Sequence, residues 1–292
     1  MLRKKIRFVL NPFSGPKKKV DIKSILQNRI NTEIIDTEIC YTSYPGHATE
    51  LSREAVDLGY YAVVAIGGDG TINEVAKSLV HTETALGIIP FGSGNGFSYH
   101  VGTKRDIFKA ISCINNLNKI CIDTILMNNN FFLNVAGIGL DAKVAFMTKK
   151  NKKRGFLPYF FQTLKESKGF RYMNLHIKTP SVSWENEYAM ATIANASMYG
   201  YNFSIAPRAK INDGQFDVVL VKKAPVFKYF SLALRMLFKS LDKSPLVTYF
   251  TGSEMQISTK DATYYHLDGE GYKSTQNEFV FKVDPQSLYL LV

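Results

Sequence analysis

The run Gly67-Gly68-Asp69-Gly70-Thr71, followed by Ile72-Asn73-Glu74-Val75, constrains this chain more than any other stretch. It stands directly behind the apolar segment Tyr61-Ala62-Val63-Val64-Ala65-Ile66 and opens an amphipathic one, so it reads as strand, glycine turn and helix start. Three glycines let the main chain turn sharply and bring bare N–H groups against phosphate oxygens, and the positive end of the next helix favours the same anion. Asp69 sharpens the reading. A carboxylate beside phosphates repels them unless it holds a metal ion, a water or a loop donor, so the motif points to a metal-dependent nucleotide site rather than a generic anion nest.

The surrounding pattern supplies a scaffold for such a site. Short apolar segments at 6–10, 33–40, 61–66 and 85–89 alternate with helical patterns at 20–30, 48–58 and 72–80, a rhythm that predicts a parallel sheet wrapped by helices. Ligands of such sheets sit beyond the C-terminal strand ends, where the turns 11–15, 67–71 and 92–96 fall. After Asp123 the texture changes to strand-like segments at 131–136, 175–179, 188–196, 215–221, 247–258, 262–266 and 279–283. The expectation is an α/β fold in two domains. Residues 1–122 form an N-terminal parallel sheet flanked by helices and residues 123–286 a mainly antiparallel, β-sandwich-like domain, with 287–292 returning as a strand to the first.

Composition narrows the partners. With 292 residues, 46% of them apolar and 21% charged, the chain can bury a sizeable core, and disorder is not expected. No stretch approaches the roughly 20 apolar residues needed to span a bilayer. The apolar run 6–10 is too short for a signal segment, so a cytoplasmic protein is expected. Cys40, Cys113 and Cys121 are odd in number and widely spaced, which suggests mostly buried, reduced thiols and neither a disulfide framework nor a zinc site. The net charge of +11 calls for an anionic partner: nucleic acid, an anionic lipid surface or a phosphorylated substrate. Two segments bear on that choice. Over 226–241, Phe227, Phe230, Leu234, Leu237, Phe238 and Leu241 share one helical face, for which core packing is the preferred reading over membrane contact. The basic run 149–154 leads into the aromatic run 156–161, a pattern shared by peripheral membrane contacts and by solvated charge beside a buried helix. For nucleic acid there is no recognisable interleaving of aromatic and basic residues, so none is expected.

Taken together, these motifs resemble the diacylglycerol kinase catalytic domain superfamily, which includes bacterial soluble lipid kinases and the sphingosine and ceramide kinases. Asn11-Pro12-Phe13-Ser14-Gly15 resembles its first phosphate loop, Thr42 with Gly46-His47-Ala48 its threonine and helix entry beside the adenine nucleotide, and Gly67 to Thr71 its signature loop. Gly92-Ser93-Gly94-Asn95-Gly96-Phe97 resembles the third loop, in the Ser-Gly-Asn form of the sphingosine and ceramide kinase branch. The stretch from Phe132 to Ala142 resembles the opening of the second domain. Gly96 stands where many bacterial relatives have an aspartate, which leaves Asp69, Asp123 and Asp213 to supply carboxylates for magnesium, and Gly200-Tyr201-Asn202 replaces a glycine-richer turn.

The resemblance implies ATP and Mg2+ as the reaction's nucleotide and metal, a lipid acceptor and peripheral contact with an anionic membrane. Asn11, Pro12, Ser14, Gly15, Thr42, Gly67, Gly68, Asp69, Gly70, Thr71, Asn73, Glu74, Ser93, Gly94 and Asn95 are thereby candidates for nucleotide binding. It also implies a structural magnesium at Asp213 with the main-chain carbonyls of Lys210 and Gln215, and Glu270 of Asp268-Gly269-Glu270 as the general base. Phosphoryl transfer independently calls for such parts: donors that position the phosphates, cationic stabilisation, and a carboxylate for the hydroxyl proton. His47 and His100, beside the loops, are read as structural. A soluble-substrate kinase of the NAD kinase or phosphofructokinase kind, a nucleotide- or lipid-binding protein without catalysis, and a homodimer are alternatives or additions left open.

Overall fold

A computed structural model describes residues 2–15, 20–92, 94–149, 162, 166, 169–170, 172–260 and 263–292. The chain divides into two compact units, Met1–Ile122 with Gln286–Val292, and Asp123–Pro285.

In the first unit, strands β1 (Lys4–Leu10), β2 (Ile35–Tyr41), β3 (Ala62–Gly67) and β4 (Ala85–Pro90) form a parallel sheet in the order β2-β1-β3-β4. β3 and β4 are apolar and buried along their whole length, as strands covered on both faces must be. Helices α1 (Ile22–Arg29), α2 (His47–Asp57), α3 (Asp69–Leu79), α4 (Gly96–His100) and α5 (Ile107–Asn116) follow or connect them. Ile22 and Leu26 of α1 and Ala110, Ile111 and Ile114 of α5 close one core with Ile6, Phe8, Val64 and Ile66. Arg7 is an unusual member of this sheet. Its side chain is 3% exposed yet paired with Glu38 at 2.6 Å and Glu54 at 2.9 Å, so the charge is not left alone.

The second unit is antiparallel. It contains the C-terminal part of β5 (Lys119–Met127), β6 (Asn130–Phe132), β7 (Val135–Gly139), β8 (Met173–Lys178), β9 (Ser183–Ala194), the short hairpin β10 (Met198–Gly200) and β11 (Phe203–Ser204), and β12 (Phe216–Lys222). It continues through β13 (Val247–Gly252), β14 (Glu254–Thr259), β15 (Tyr264–Leu267), β16 (Glu270–Lys273) and the first residues of β17 (Glu278–Leu291). Strand β9 sits at the centre, paired with β7, β8 and β12. The run Val218-Val219-Leu220-Val221 shows why β12 is apolar without alternation: Val218 and Leu220 enter one core, Val219 and Val221 another. Helix α6 (Leu140–Lys149) packs against β15 and β16, and α7 (Val226–Leu237) lies beside β11.

Several expectations are corrected here. The segment 131–136 is two strands, because Leu133 and Asn134 give their N–H groups to Asp268 instead of a neighbouring strand. The segment 247–258 breaks at Ser253 into β13 and β14. Conversely, 279–283 and 287–292 belong to one strand, β17, which carries Pro285 within it and whose Leu290 pairs in parallel with Leu86 of β4. The cysteines are free but half-buried rather than buried. The outward face of α7 is exposed at Phe227, Phe230, Leu234, Leu237 and Phe238, against the core-packing reading; only Leu241 of that set is buried. The aromatic run 156–161 lies outside the described residues, as does most of the basic run before it.

Candidate active site

Parallel pairing brings four strand ends of the first unit into one row: Leu10 lies opposite Tyr41 and Ile66, and Gly67 opposite Pro90. Asn11, Thr42, Gly68 and Gly92 therefore leave the sheet along a single edge, where ligands of open α/β sheets bind. The loops also touch. Asn11 Nδ2 donates to Thr71 Oγ1 at 3.2 Å, and its Oδ1 accepts the Phe13 N–H at 2.9 Å, tying the first loop to the signature loop. Gly15, at φ 112°, lets the first loop lie against the Phe91 ring, where any side chain would collide. Thr42 is buried, and its N–H donates to Leu10 O at 2.9 Å. Pro12 and Gly15 are exposed and Ser14 half-buried at the mouth of this edge.

The signature loop turns sharply, from the end of β3 at Gly67 to the start of α3 at Asp69, but not through left-handed backbone. None of Gly67, Gly68 and Gly70 has positive φ. Their value is closeness. A Cβ on Gly67 would come within 2.5 Å of Thr71 Oγ1, and one on Gly68 within 3.3 Å of Gly92 Cα, so backbone lies on backbone between the second and third loops. Helix α3 starts earlier than the apolar pattern suggests, at Asp69, with Gly68 as an N-cap that offers no side-chain acceptor. Its first N–H groups are thus presented without a capping side chain, which suits an anion. Asp69, in that first turn, accepts the Phe97 N–H of α4 at 3.4 Å: the carboxylate has a loop donor.

Asn95 holds the third loop rather than facing outward. In left-handed backbone and fully buried, it accepts the Gly92 N–H at 3.0 Å and donates to Gly92 O at 2.8 Å. Gly94 lies close to Asp69, whereas Ser93 lies outside the described residues. Asn73 and Glu74 are half-buried in α3, and Glu74 O accepts the Thr49 hydroxyl at 2.9 Å. His47 accepts the Ser43 N–H at 3.1 Å and stacks on Tyr44; burial pushes His100 down to about 4, so it is neutral at physiological pH.

Gly70 provides a test within this loop. A Cβ there meets nothing within 4 Å, so Gly70→Ala is expected to raise stability by roughly 0.5–1 kcal/mol through the helix preference of alanine. If phosphate lies against this N–H, the same variant binds ATP more weakly despite melting higher. Calorimetric titration and a thermal melt read the two effects apart, and unchanged ATP affinity would remove Gly70 from the phosphate site.

In the second unit, Asp268 and Gly269, at φ 48° and 85°, form the two-residue turn that joins β15 to β16. Asp268 accepts N–H groups from Leu133 at 2.9 Å, Asn134 at 2.8 Å and Val135 at 3.0 Å, which anchors the hairpin. Glu270 opens β16, exposed, with Tyr272 donating to it at 3.2 Å. Burial, then the charge of Glu270, pushes the Tyr272 phenol up to about 12. Gly271 is there for packing rather than for freedom, since a side chain would overlap the Phe146 main chain of α6.

Sequence reasoning did not single out Asp141. It is buried and accepts from Thr192 Oγ1 at 3.2 Å and Tyr199 Oη at 2.8 Å, and its Oδ2 lies 3.2 Å from His266 Nε2. Gly137 leaves the room for this cluster. The only local signal is the Gly-Ile-Gly-Leu-Asp run, because its partners come from three other segments.

The turn 210–215 tests the magnesium expectation. Asp213 is exposed there, Gly214 has φ 72°, and the Gly214 N–H donates at 2.7 Å to Asp123, which is buried and braces the turn. A carboxylate and main-chain carbonyls are hard oxygen donors of the kind magnesium takes. The neighbouring Asp217 carboxyl is raised to about 6, first by burial and also by the charge of Asp213. The residues fit the ion, although no group of three or more His, Cys, Asp or Glu side chains is gathered for a metal among the described residues.

The two units define an α/β domain with glycine loops at its strand ends, followed by an antiparallel domain, and comparison with known proteins agrees. Residues 5–127 match the diacylglycerol kinase catalytic domain, and residues 134–292 match the YegS C-terminal NAD kinase beta sandwich-like domain. The chain belongs to the diacylglycerol kinase family. It is 27% identical over 283 residues to the diacylglycerol kinase of Bacillus subtilis, covering 95% of this chain and 93% of that one. With the diacylglycerol kinase of Staphylococcus carnosus it shares 25% identity over 274 residues, 92% of this chain and 89% of the relative. The crystal structure of a Bacillus anthracis diacylglycerol kinase superposes with a TM-score of 0.76 at 20% identity, covering 99% and 96% of the two chains. An Archaeoglobus fulgidus NAD kinase solved with ATP shares the fold more distantly, with a TM-score of 0.53 at 12% identity over 99% and 93%.

Proposed function

We propose that this protein is an ATP-dependent lipid kinase that transfers the γ-phosphoryl group of ATP to a lipid hydroxyl, of the diacylglycerol or sphingoid and ceramide kind. The observation that carries the reading is the single row of strand ends in the first unit, from which three loops and Thr42 emerge beside an α3 N-terminus without a capping side chain. Asn11, Pro12, Ser14, Gly15, Thr42, Gly67, Gly68, Gly70, Thr71, Asn73, Glu74, Ser93 and Gly94 bind the nucleotide, while Asn95 holds the third loop in shape.

In the proposed reaction the acceptor hydroxyl oxygen attacks the γ-phosphorus, the bond to the β-phosphate oxygen breaks, and ADP leaves. Glu270 takes the hydroxyl proton. Asp69, in the first turn of α3, would order a cation or water near the phosphates. Asp213 and the carbonyls of Lys210 and Gln215 would hold a magnesium ion, with Asp123 bracing the turn. When bound, magnesium neutralises phosphate or carboxylate charge. The protein works in the cytoplasm against the membrane surface.

The experiment is a radiolabelled ATP assay with magnesium over diacylglycerol, monoacylglycerol, phosphatidylglycerol, sphingosine and ceramide in mixed micelles, with NAD as the soluble comparison. Label transfer to one lipid class is expected. Transfer to NAD alone would place the chain with soluble-substrate kinases, and ATP binding without transfer to any acceptor would make it a binding protein.

A further inference from the structure

Helix α7 is apolar on two opposite faces. Its inner face, Tyr229, Leu232 and Met236, packs with Leu241 into the core that also holds Val219 and Val221. Its outer face carries Phe227, Leu234 and Leu237, continued by Phe238 at the C-cap, and these are 74, 45, 40 and 75% exposed. Burial of the inner face explains why the helix folds onto its unit. It does not explain the exposure of the outer strip, and water-soluble monomers rarely display large apolar groups in such a row.

Charge identifies the partner. Between Asp217 and Asp242 the sequence has no acidic residue, yet it carries Lys222, Lys223, Lys228, Arg235 and Lys239, with Lys243 just beyond. The five lysines are exposed. Cations beside an apolar strip complement a surface that is negative outside and hydrocarbon beneath. A second copy of the chain would bring the same cations against one another under a net charge of +11, which opposes it. With 12 residues, α7 is about 18 Å long, too short to cross a bilayer, so it can only lie along one.

We propose that the outer face of α7 is a membrane-docking surface that lies in the headgroup plane of an anionic bilayer, with its phenylalanines inserted and its lysines on lipid phosphates. This deepens the lipid-kinase reading and rests on it for the choice of a bilayer. Phe227 and Phe238 insert first, being the most exposed, one at each end of the helix.

The test is co-sedimentation of the full chain, without ATP, with vesicles of phosphatidylglycerol and phosphatidylcholine and with phosphatidylcholine alone. Binding to the anionic vesicles is expected, and the double variant Phe227→Ser, Phe238→Ser should lower the partition coefficient about tenfold or more. The pair Lys228→Gln, Lys239→Gln should lower it by roughly tenfold at low salt and flatten its salt dependence. Both pairs change exposed side chains, so melting temperatures should stay at the wild-type value. Undiminished vesicle binding by the phenylalanine pair would overturn the proposal. So would loss of self-association in sedimentation velocity with vesicle binding intact, which would assign the strip to a second copy. Because binding is read without nucleotide, vesicle binding that depends on these residues in a protein that phosphorylates no lipid supports the docking surface and sinks only the enzyme reading.

Discussion

Replacing Glu270 by glutamine is expected to lower lipid phosphorylation by about 10²–10⁴-fold, with the affinity for ATP and the melting temperature left near their wild-type values. The expectation rests on where the residue stands. Glu270 is exposed at the first position of β16, and the hairpin that carries it is held by Asp268, whose carboxylate accepts three main-chain N–H groups. Glutamine keeps the length and shape of the side chain and loses its charge and its capacity to take a proton. A fall in kcat with little change in the KM for ATP is therefore the signature of the assigned base. Turnover at the wild-type rate would remove Glu270 from the chemistry. Asp268→Asn serves as the contrasting variant: an amide supplies only one acceptor oxygen where the carboxylate uses two, so it should lower the melting temperature as well as the rate.

A second large effect is expected at Gly92→Ala. The added methyl would overlap Gly68 Cα, a main-chain atom that no rotamer change can move, and would also crowd Asn95 Oδ1. The third loop must then shift away from the signature loop and release the pair of hydrogen bonds between Asn95 and Gly92. Overpacking of this kind destabilises by roughly 1–3 kcal/mol. ATP affinity should fall by about 100-fold, because phosphate donors displaced by an ångström lose their geometry. Isothermal titration with ATP and a denaturant melt check both parts. Near-wild-type ATP affinity in a folded Gly92→Ala protein would show that the close approach of the two loops is not needed for nucleotide binding.

The first unit was legible because its buried strands write themselves as unbroken apolar runs, and the glycine loops fall where those runs stop. Even there, pattern shows only part of the reason for the glycines: it predicts the turn, which is present, but not the close contacts with Thr71 and Gly92. In the second unit the short antiparallel strands were found but their ends were not. Leu133 and Asn134 look like strand by composition, and only the distant Asp268 takes their N–H groups out of the ladder. The cluster around Asp141 was illegible for the same reason, since His266 is 125 residues away in sequence. The two apolar faces of α7 cannot be told apart from the sequence, because an apolar side chain that meets the core and one that meets the outside follow the same helical period.

Strand β17 bears on how the protein is made. The Leu290 that completes the pairing of β4 comes after every residue of the second unit, about 200 positions beyond Leu86. During synthesis the first unit can gather four strands early, but its sheet keeps an open edge on β4 until the ribosome has delivered the whole of the other unit. The loops at the strand ends are thus built before the edge of β4 is closed. Nascent chains stalled short of β17 should be protease-sensitive at β4, and ATP added during translation should protect them if those loops already bind it.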